Sequence, residues 1–216
     1  MSRPPDPRTA GRLVSGRKLL VVSLLASAGL WIPGRASAVE AEQPGPAQAL
    51  QLPSEKQTTL GLYVTSREAY EKWKAAPAKV TILDVRTPEE FLFIGHAEMA
   101  WNIPVATQTF QWNAEKRSFP MLPLADFVAR VRKVAKPGDT LLVTCRSGGR
   151  SAIAVNLLAK AGFKNVYNIT DGVEGDVVDS PDSVFRGQRL VNGWKNSGLP
   201  WTYEVDPGRM VLSGGQ

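Results

Sequence analysis

Short apolar runs alternate along the chain with segments whose apolar residues recur at helical spacing. Val80–Val85 and Leu141–Thr144 consist almost entirely of aliphatic or β-branched residues, and Val166–Ile169 begins and ends with one. Runs of this length and composition predict strands buried within a sheet. Leu124–Val134 places its apolar residues three and four positions apart and predicts a helix. The alternation of the two patterns predicts an α/β fold.

Local signals at the ends of elements predict further helices. Thr65 is followed three residues later by Glu68, the pattern of a capping box, so a helix is predicted over Ser66–Ala75. Pro88 suits the first turn of another short helix. The alanine-rich segment Ser151–Ala161 predicts a buried helix. Two less regular elements are also predicted, a strand at Met99–Ile103 and a helix at Gly187–Asn196.

The first 38 residues have the composition of a secretory signal. A basic stretch ends at Arg17-Lys18, an apolar run extends from Leu19 to Ile32, and Ala36-Ser37-Ala38 offers a small-residue cleavage site. The apolar run is shorter than the ~20 residues that a membrane-spanning helix needs. We therefore expect cleavage after Ala38, export to a bacterial periplasm and no stable membrane insertion afterwards. An uncleaved amino-terminal anchor is the alternative.

Most of the chain's positive charge belongs to this segment. The formal net charge is +6, and residues 1–38 contain six basic residues and one acidic residue, a net of +5. The remainder is close to neutral, so nothing in it predicts nucleic acid binding. Residues 39–60, rich in Ala, Gln, Glu and Pro, predict a linker. Residues 61–203 are expected to form the folded domain and 204–216 a flexible tail.

The chain's single cysteine, Cys145, lies between a predicted strand and a predicted helix. Open α/β folds bind ligands in such turns at the carboxyl ends of strands. The N–H groups of the turn and the helix amino terminus supply partial positive charge, and Gly148 and Gly149 allow the tight curvature. Arg146 and Arg150 add two guanidinium groups. These surroundings favour a nucleophilic thiolate that faces an anionic substrate.

Several motifs around this cysteine occur in the order and spacing of one family. Four residues separate Cys145 from Arg150, and this Cys-x4-Arg loop resembles the active-site loop of rhodanese-type sulfurtransferases. The resemblance extends over residues 80–172 and includes Ile82–Phe91, Gly95-His96-Ala97, Asn102-Ile103-Pro104, Gly162-Phe163 and Asp171-Gly172. It implies a rhodanese-like three-layer sandwich around a mostly parallel central sheet of about five strands.

The resemblance also implies sulfur transfer in two steps, with Cys145 as the catalytic residue. The thiolate takes sulfur from thiosulfate or a similar donor, and the resulting persulfide passes it to a thiol, cyanide or another protein. The residues implied to bind the substrate are Arg146, Ser147, Gly148, Gly149 and Arg150. Asp84 and Arg86 lie at the carboxyl end of a predicted strand, so we expect them either to position the loop by ion pairing or only to tie the strand end to neighbouring backbone. No metal or organic cofactor is implied.

Two other functions remain open on the sequence. A cysteine phosphatase or arsenate reductase is disfavoured, because the phosphatases have a wider Cys-x5-Arg loop. A persulfide carrier or binding module would keep the loop but hand sulfur to a partner protein, and the aromatic stretch 105–121 and the extension 173–203 favour this alternative. His96, the chain's one histidine, is expected to be structural, because a metal site needs several ligands together.

Overall fold

A five-stranded sheet forms the centre of the computed structural model, which describes residues 52–211. The strands in chain order are β1 (Tyr63–Val64), β2 (Val80–Asp84), β3 (His96–Ala97), β4 (Trp101–Asn102), β5 (Ala106–Gln108), β6 (Met121–Pro123), β7 (Thr140–Thr144), β8 (Asn165–Ile169), β9 (Asp176–Val177), β10 (Arg189–Val191) and β11 (Trp201–Thr202). The helices are α1 (Ser66–Ala75), α2 (Pro88–Ile94), α3 (Phe127–Val131) and α4 (Gly149–Lys160).

All neighbouring strands of the central sheet run parallel, in the order β1-β8-β7-β2-β4. β2 and β7 pair along their whole length, from Val80 opposite Thr140 to Asp84 opposite Thr144. The residues that follow these two strands therefore leave the same edge of the sheet at the same level. This register brings the segment after Asp84 next to the segment that begins at Cys145.

Apolar side chains cover both faces of the sheet and form two cores. Successive strand residues point to opposite faces, so Val143 packs in the core shared with α3 and α4, whereas Leu142 packs in the core shared with α1 and α2. The molecule is thus a three-layer α/β sandwich around five parallel strands, which confirms the predicted fold class.

Two helices begin with capping boxes, of which the sequence pattern predicts the first. In α1, the Thr65 hydroxyl accepts a hydrogen bond from the Glu68 N–H at 3.3 Å, and the Glu68 carboxylate accepts one from the Thr65 N–H at 2.6 Å. α1 spans the predicted residues 66–75. α2 has the same arrangement between Thr87 and Glu90. The second capping box fixes Glu90 at the start of α2, close to the sheet edge.

Three predicted elements differ from the structure. The helix expected over 124–134 is only the short α3, because its ends tighten into bonds between residues three apart, as from the Val134 N–H to the Val131 carbonyl. The helix expected over 187–196 is replaced by β10 and a 3₁₀ turn, since Asn192 and Gly193 adopt positive φ angles that end regular structure. The aromatic stretch 105–121 has no predicted strand, yet β5 near its start and β6 at its end form an antiparallel hairpin.

Both ends of the folded part extend beyond the predicted boundaries. Residues 52–60 belong to the predicted linker, but Leu60 packs on the core and the Thr59 N–H donates to Asn156 on α4 at 2.8 Å. Residues 204–211 belong to the predicted tail, but the Val211 N–H donates to the Asn102 carbonyl beside β4 at 2.9 Å. A few apolar residues in otherwise polar segments are thus enough to attach them to the domain.

The predicted signal segment, residues 1–38, lies outside the described residues, as do residues 39–51 of the linker and 212–216 of the tail. Cleavage after Ala38 therefore stays a prediction. Between residues 52 and 211, no helix combines the length and apolarity that crossing a bilayer requires.

His96 is buried beneath α2 and is expected to make stability depend on pH. Its ring stacks on Phe91 with centroids 3.6 Å apart, and Nδ1 donates to the Phe91 carbonyl at 3.2 Å. Burial lowers the pKa of His96 below its ordinary 6.5, although the bond to Phe91 acts in the opposite direction. The folded protein therefore favours the neutral ring, and its contribution to stability is complete above pH 6.5 and decreases as the pH falls below that value.

Thermal unfolding measured across this range tests the expectation. The melting temperature of the wild-type protein should fall between pH about 7 and about 5, and His96→Gln should reduce that slope. Equal slopes for the two proteins would contradict the assignment.

Candidate active site

The Cys145 loop, residues 145–150, connects β7 to α4 at the carboxyl edge of the sheet. The Cys145 side chain is only 1% exposed. Its Sγ accepts a hydrogen bond from the Gly148 N–H at 3.2 Å and lies 3.4 Å from the Ser151 hydroxyl. α4 begins at Gly149, so its amino-terminal partial positive charge lies beside the sulfur. Both features stabilise a negative charge on the sulfur.

Gly148 gives the loop its shape. Its φ of +98° lies in the left-handed region, and a Cβ atom at this position would come within 2.3 Å of the Thr170 carbonyl oxygen. The Gly148 carbonyl accepts hydrogen bonds from Asn168 Nδ2 at 3.1 Å and from the Ser151 hydroxyl at 3.0 Å. These contacts hold the peptide that joins Gly148 to Gly149, whereas the N–H directed at Cys145 belongs to the peptide before it.

Asn168 and Ser151 are site residues that the sequence analysis did not identify. Asn168 lies in β8 and its side chain also donates to the Lys56 carbonyl at 2.9 Å, so it joins the loop to the segment before β1. Both side chains are fully buried. The available signal was a polar residue inside an otherwise apolar strand or helix, since buried polar groups are generally hydrogen-bonded for a structural or functional reason.

Arg150 is held by the carboxylate of Glu90, which is not among the predicted site residues. Its two terminal nitrogens donate to the two oxygens of Glu90, Nη1 at 2.6 Å and Nη2 at 2.5 Å. Nη1 also lies 3.8 Å from Met121 Sδ, which belongs to β6. The guanidinium predicted to bind substrate is therefore engaged by α2 and by the β5–β6 hairpin.

The pKa values of Glu90 and Arg150 are both shifted by their partial burial and by their interaction with each other. Burial acts to raise the pKa of Glu90, but the hydrogen bond and charge of Arg150 outweigh it and lower the pKa below 4.5. Burial acts to lower the pKa of Arg150, but Glu90 and, to a smaller extent, the charge of Cys145 outweigh it and raise the pKa above its ordinary value. The pair stays ionised at neutral pH, and Cys145 is near enough to interact with Arg150 electrostatically.

Asp84 and Arg86 form a fully buried ion pair at the end of β2. Arg86 Nη2 donates to Asp84 at 2.7 Å and to the Gly95 carbonyl at 2.8 Å. Burial disfavours the charged guanidinium, but Asp84 and the more distant Glu90 and Glu174 together raise the pKa of Arg86. Arg86 Nη1 is buried and has no hydrogen-bond partner among residues 52–211. The pair ties the strand end to neighbouring backbone and leaves one guanidinium N–H group free.

The remaining predicted residues occupy different positions along the loop. The Arg146 side chain is exposed, while its carbonyl accepts from the Glu174 N–H at 2.9 Å. Ser147 is half-buried, and Gly149 is the first residue of α4. The loop thus joins a buried sulfur, the inward-facing Gly148 amide and an exposed cation, which is an arrangement that suits a nucleophile acting on an anion.

Comparisons with known proteins agree with this geometry. A family model for the rhodanese-like domain matches residues 66–177. The uncharacterized protein RP600 of Rickettsia prowazekii (strain Madrid E) is 32% identical over 122 residues, which make up 56% of this chain and 82% of that protein. Thiosulfate sulfurtransferase 18 of Arabidopsis thaliana is 38% identical over 92 residues, 42% of this chain and 61% of that protein.

A solved structure has the same architecture. The crystal structure of Rv0390 from M. tuberculosis aligns with a TM-score of 0.50 at 25% sequence identity and covers 65% of this chain and 96% of that one. The aligned family region contains β2, β7 and the Cys145 loop, which are the elements that form the candidate site.

Proposed function

Because the chain belongs to the rhodanese-like family, we propose that it is a sulfurtransferase that moves sulfane sulfur from thiosulfate or a similar donor to a nucleophilic acceptor through a persulfide on Cys145. The observation that carries the proposal is the Gly148 N–H, 3.2 Å from a buried Sγ at the start of a helix. A sulfur held in this way is suited to carry negative charge both before and after it gains a second sulfur.

The first half-reaction is a displacement at sulfur. The Cys145 thiolate attacks the outer sulfur of thiosulfate, the sulfur–sulfur bond of the donor breaks, and sulfite leaves with the bonding electron pair. Charge on the departing sulfite is stabilised by loop amides and by guanidinium groups. Arg150 contributes a cation that interacts electrostatically with Cys145.

The second half-reaction returns the enzyme to its starting state. An acceptor nucleophile attacks the terminal sulfur of the persulfide, and Cys145 leaves again as a thiolate. Cyanide becomes thiocyanate, and a thiolate becomes a persulfide. No proton needs to move when both nucleophiles are already anions, so this mechanism requires no general base.

The short loop favours sulfur chemistry over phosphate chemistry. Four residues between Cys145 and Arg150 give a narrower ring of amides than the Cys-x5-Arg loop of cysteine phosphatases. We therefore expect no turnover of phosphate esters. The amino-terminal signal pattern in residues 1–38 supports a periplasmic location for the reaction.

Intact-mass spectrometry tests the proposed function. Reduced protein treated with thiosulfate under non-denaturing conditions should gain the mass of one sulfur atom, and cyanide should remove it. Cys145→Ser should gain nothing, because its hydroxyl cannot form a persulfide. A wild-type protein that stays unmodified with several sulfane donors would contradict the proposal.

A persulfide carrier that serves a partner protein is the second candidate. The observation that favours it is the set of exposed aromatic residues, among them Phe110 and Trp112, between β5 and β6, the hairpin whose Met121 contacts Arg150. A carrier should load sulfur from thiosulfate but discharge it to cyanide much more slowly than it loads. Steady-state thiocyanate production compared with the rate of loading separates the two candidates.

A further inference from the structure

The Ser151 hydroxyl lies between two acceptors in the first turn of α4. Its Oγ is 3.0 Å from the Gly148 carbonyl oxygen and 3.4 Å from Cys145 Sγ. A serine side chain in a helix can donate to the carbonyl three residues earlier, and Ser151 follows Gly148 by that interval. Because a hydroxyl group carries one hydrogen, Ser151 donates to only one of these two acceptors at a time.

The Gly148 carbonyl does not depend on the Ser151 hydrogen. It also accepts hydrogen bonds from the Ala152 N–H at 3.2 Å and from Asn168 Nδ2 at 3.1 Å. A carbonyl oxygen has two lone pairs, and these two donors suffice to occupy them. Ser151 is therefore a third donor to this oxygen, and its hydrogen can turn to the sulfur without leaving a buried carbonyl unpaired.

The Cys145 sulfur has fewer donors than the Gly148 carbonyl. Between residues 52 and 211, the groups that donate to Sγ are the Gly148 N–H and the Ser151 hydroxyl. Cys145 and Ser151 are both buried, so these donors take the place of bulk water around the sulfur. A hydrogen bond to a charged acceptor is stronger than one between neutral groups, so the Ser151 hydrogen favours Sγ whenever Sγ is charged.

We propose that Ser151 is a catalytic residue of the sulfur transfer, and that its hydrogen alternates between Cys145 Sγ and the Gly148 carbonyl as negative charge enters and leaves Sγ. The inference rests on the proposed function, because that reaction moves the charge between Sγ and the terminal sulfur. In the unloaded thiolate the charge is on Sγ, and the Ser151 hydroxyl donates to Sγ. In the persulfide the charge is on the terminal sulfur, and the hydroxyl returns to the Gly148 carbonyl.

This movement of the hydrogen assists the second half-reaction. The electron pair of the acceptor forms a bond to the terminal sulfur, the bond between that sulfur and Sγ breaks, and its electron pair stays on Sγ. The Ser151 hydrogen bond forms as this charge develops, so it stabilises the departing thiolate. No proton is transferred. The first half-reaction is affected in the opposite direction, because the thiolate gives up the same hydrogen bond when it attacks the donor.

The ultraviolet absorbance of the thiolate, titrated against pH, tests the hydrogen bond without any sulfur transfer. Cys145 is the chain's only cysteine, so the difference from Cys145→Ser reports this sulfur alone. The titration midpoint of Ser151→Ala should lie about one pH unit above that of the wild-type protein, because its thiolate lacks one donor. Ser151→Thr keeps the hydroxyl and should restore the wild-type midpoint.

Thr144→Val is the matched control, because the Thr144 hydroxyl donates to the Cys145 carbonyl at 3.3 Å and not to the sulfur. Its titration midpoint should equal that of the wild-type protein. The charged groups at this edge of the sheet, which are the Arg150–Glu90 and Arg86–Asp84 pairs and the exposed Arg146, are the same in all these variants. A shift confined to Ser151→Ala is therefore attributable to the hydroxyl.

Single-turnover rates of the two half-reactions, measured above both titration midpoints, test the catalytic role. Ser151→Ala should discharge its persulfide to cyanide about threefold more slowly than the wild-type protein but load from thiosulfate about threefold faster, because a more basic thiolate is a poorer leaving group and a better nucleophile. A purely structural defect would slow both half-reactions. Chemical denaturation checks that the variant is folded under the conditions used.

Asn168 is a positioning residue in this scheme, because it frees the Ser151 hydrogen without touching the sulfur. In Asn168→Ala the Gly148 carbonyl keeps the Ala152 N–H but needs Ser151 as its second donor. The variant should therefore also discharge its persulfide slowly. The double variant Ser151→Ala/Asn168→Ala should be no slower than Ser151→Ala, whereas additive effects would contradict the competition at the Gly148 carbonyl.

The two kinds of measurement separate this inference from the proposed function. An unchanged titration midpoint in Ser151→Ala would overturn the inference, and so would equal slowing of both half-reactions. A shifted midpoint in a protein that takes up no sulfur from thiosulfate or other sulfane donors would reject only the proposed function, because the titration detects the hydrogen bond to Sγ without sulfur transfer.

Discussion

Gly148→Ala is expected to abolish persulfide formation and to lower the free energy of unfolding by at least about 3 kcal/mol. The added Cβ would lie 2.3 Å from the Thr170 carbonyl oxygen, and the residue would also have to keep a φ of +98°. Relief of the clash requires the backbone on both sides of Gly148 to shift. This shift would move the Gly148 N–H away from Sγ and the Gly148 carbonyl away from Asn168.

Gly162→Ala provides the matched control for this prediction. Gly162 has a φ of +94°, but a Cβ there would meet no atom of the described residues within 4 Å. Gly162→Ala should lower the free energy of unfolding only by the strain of an alanine in the left-handed region, about 1–2 kcal/mol. It should leave persulfide loading unchanged. Chemical denaturation measures the stabilities, and mass spectrometry after thiosulfate treatment measures the loading. Similar losses of stability and of persulfide loading in the two variants would contradict the role assigned to the contact with Thr170.

Glu90→Gln is expected to tighten binding of inorganic sulfate by about tenfold and to lower stability by about 1–2 kcal/mol. Glu90 neutralises Arg150 through two short hydrogen bonds, so an entering anion has to compete with a carboxylate that is already in place. Loss of the negative charge on Glu90 therefore favours binding of the sulfate anion to Arg150. The stability cost is smaller than for a fully buried pair because the two side chains remain 19% and 25% exposed.

Glu89→Gln is the control, since Glu89 is the exposed neighbour on the same turn of α2 and should change neither quantity. Glutamine at position 90 can still accept the capping bond from the Thr87 N–H, so α2 should remain intact. Sulfate affinity is read from inhibition of persulfide loading and from the shift in melting temperature. Weaker sulfate binding in Glu90→Gln would contradict the competition and indicate that Glu90 only positions Arg150.

The ion pair between Glu90 and Arg150 is also expected to make folding stability depend on pH under acidic conditions. The pKa of Glu90 is held below 4.5, so its contribution to stability is present above that pH and is lost as the pH falls further. The stability of Glu90→Gln should therefore change less than that of the wild-type protein below pH 4.5.

Much of the fold could be predicted because its signals are local. The apolar runs around Leu83 and Val143 identified two central strands, and the capping pattern at Thr65 located α1 to the residue. The strand–turn–helix around Cys145 was readable for the same reason. Its order relative to the other motifs then supported the family, which the family model confirms.

Features that depend on distant residues could not be predicted in this way. The partner of Arg150 is Glu90, 60 positions earlier, and no local pattern connects them. Asn168 meets the Gly148 carbonyl only because β7 and β8 pair in one register. The attachment of Val211 beside β4 depends likewise on a contact across the chain. Helical spacing over 187–196 was misleading because Gly193 adopts a φ of +82°.

The order of the strands imposes a constraint on biosynthesis. β1 is the first strand of the sheet to be made, and its partner is β8, so that Tyr63 pairs with Asn168. Until residue 169 has been synthesised, β1 lacks its neighbour and β7 has one bare edge. Parallel pairings that span such a length close slowly and expose edges meanwhile. Nascent chains stopped before β8 should therefore aggregate or engage chaperones, and the Cys145 loop should take its final form only near the end of translation.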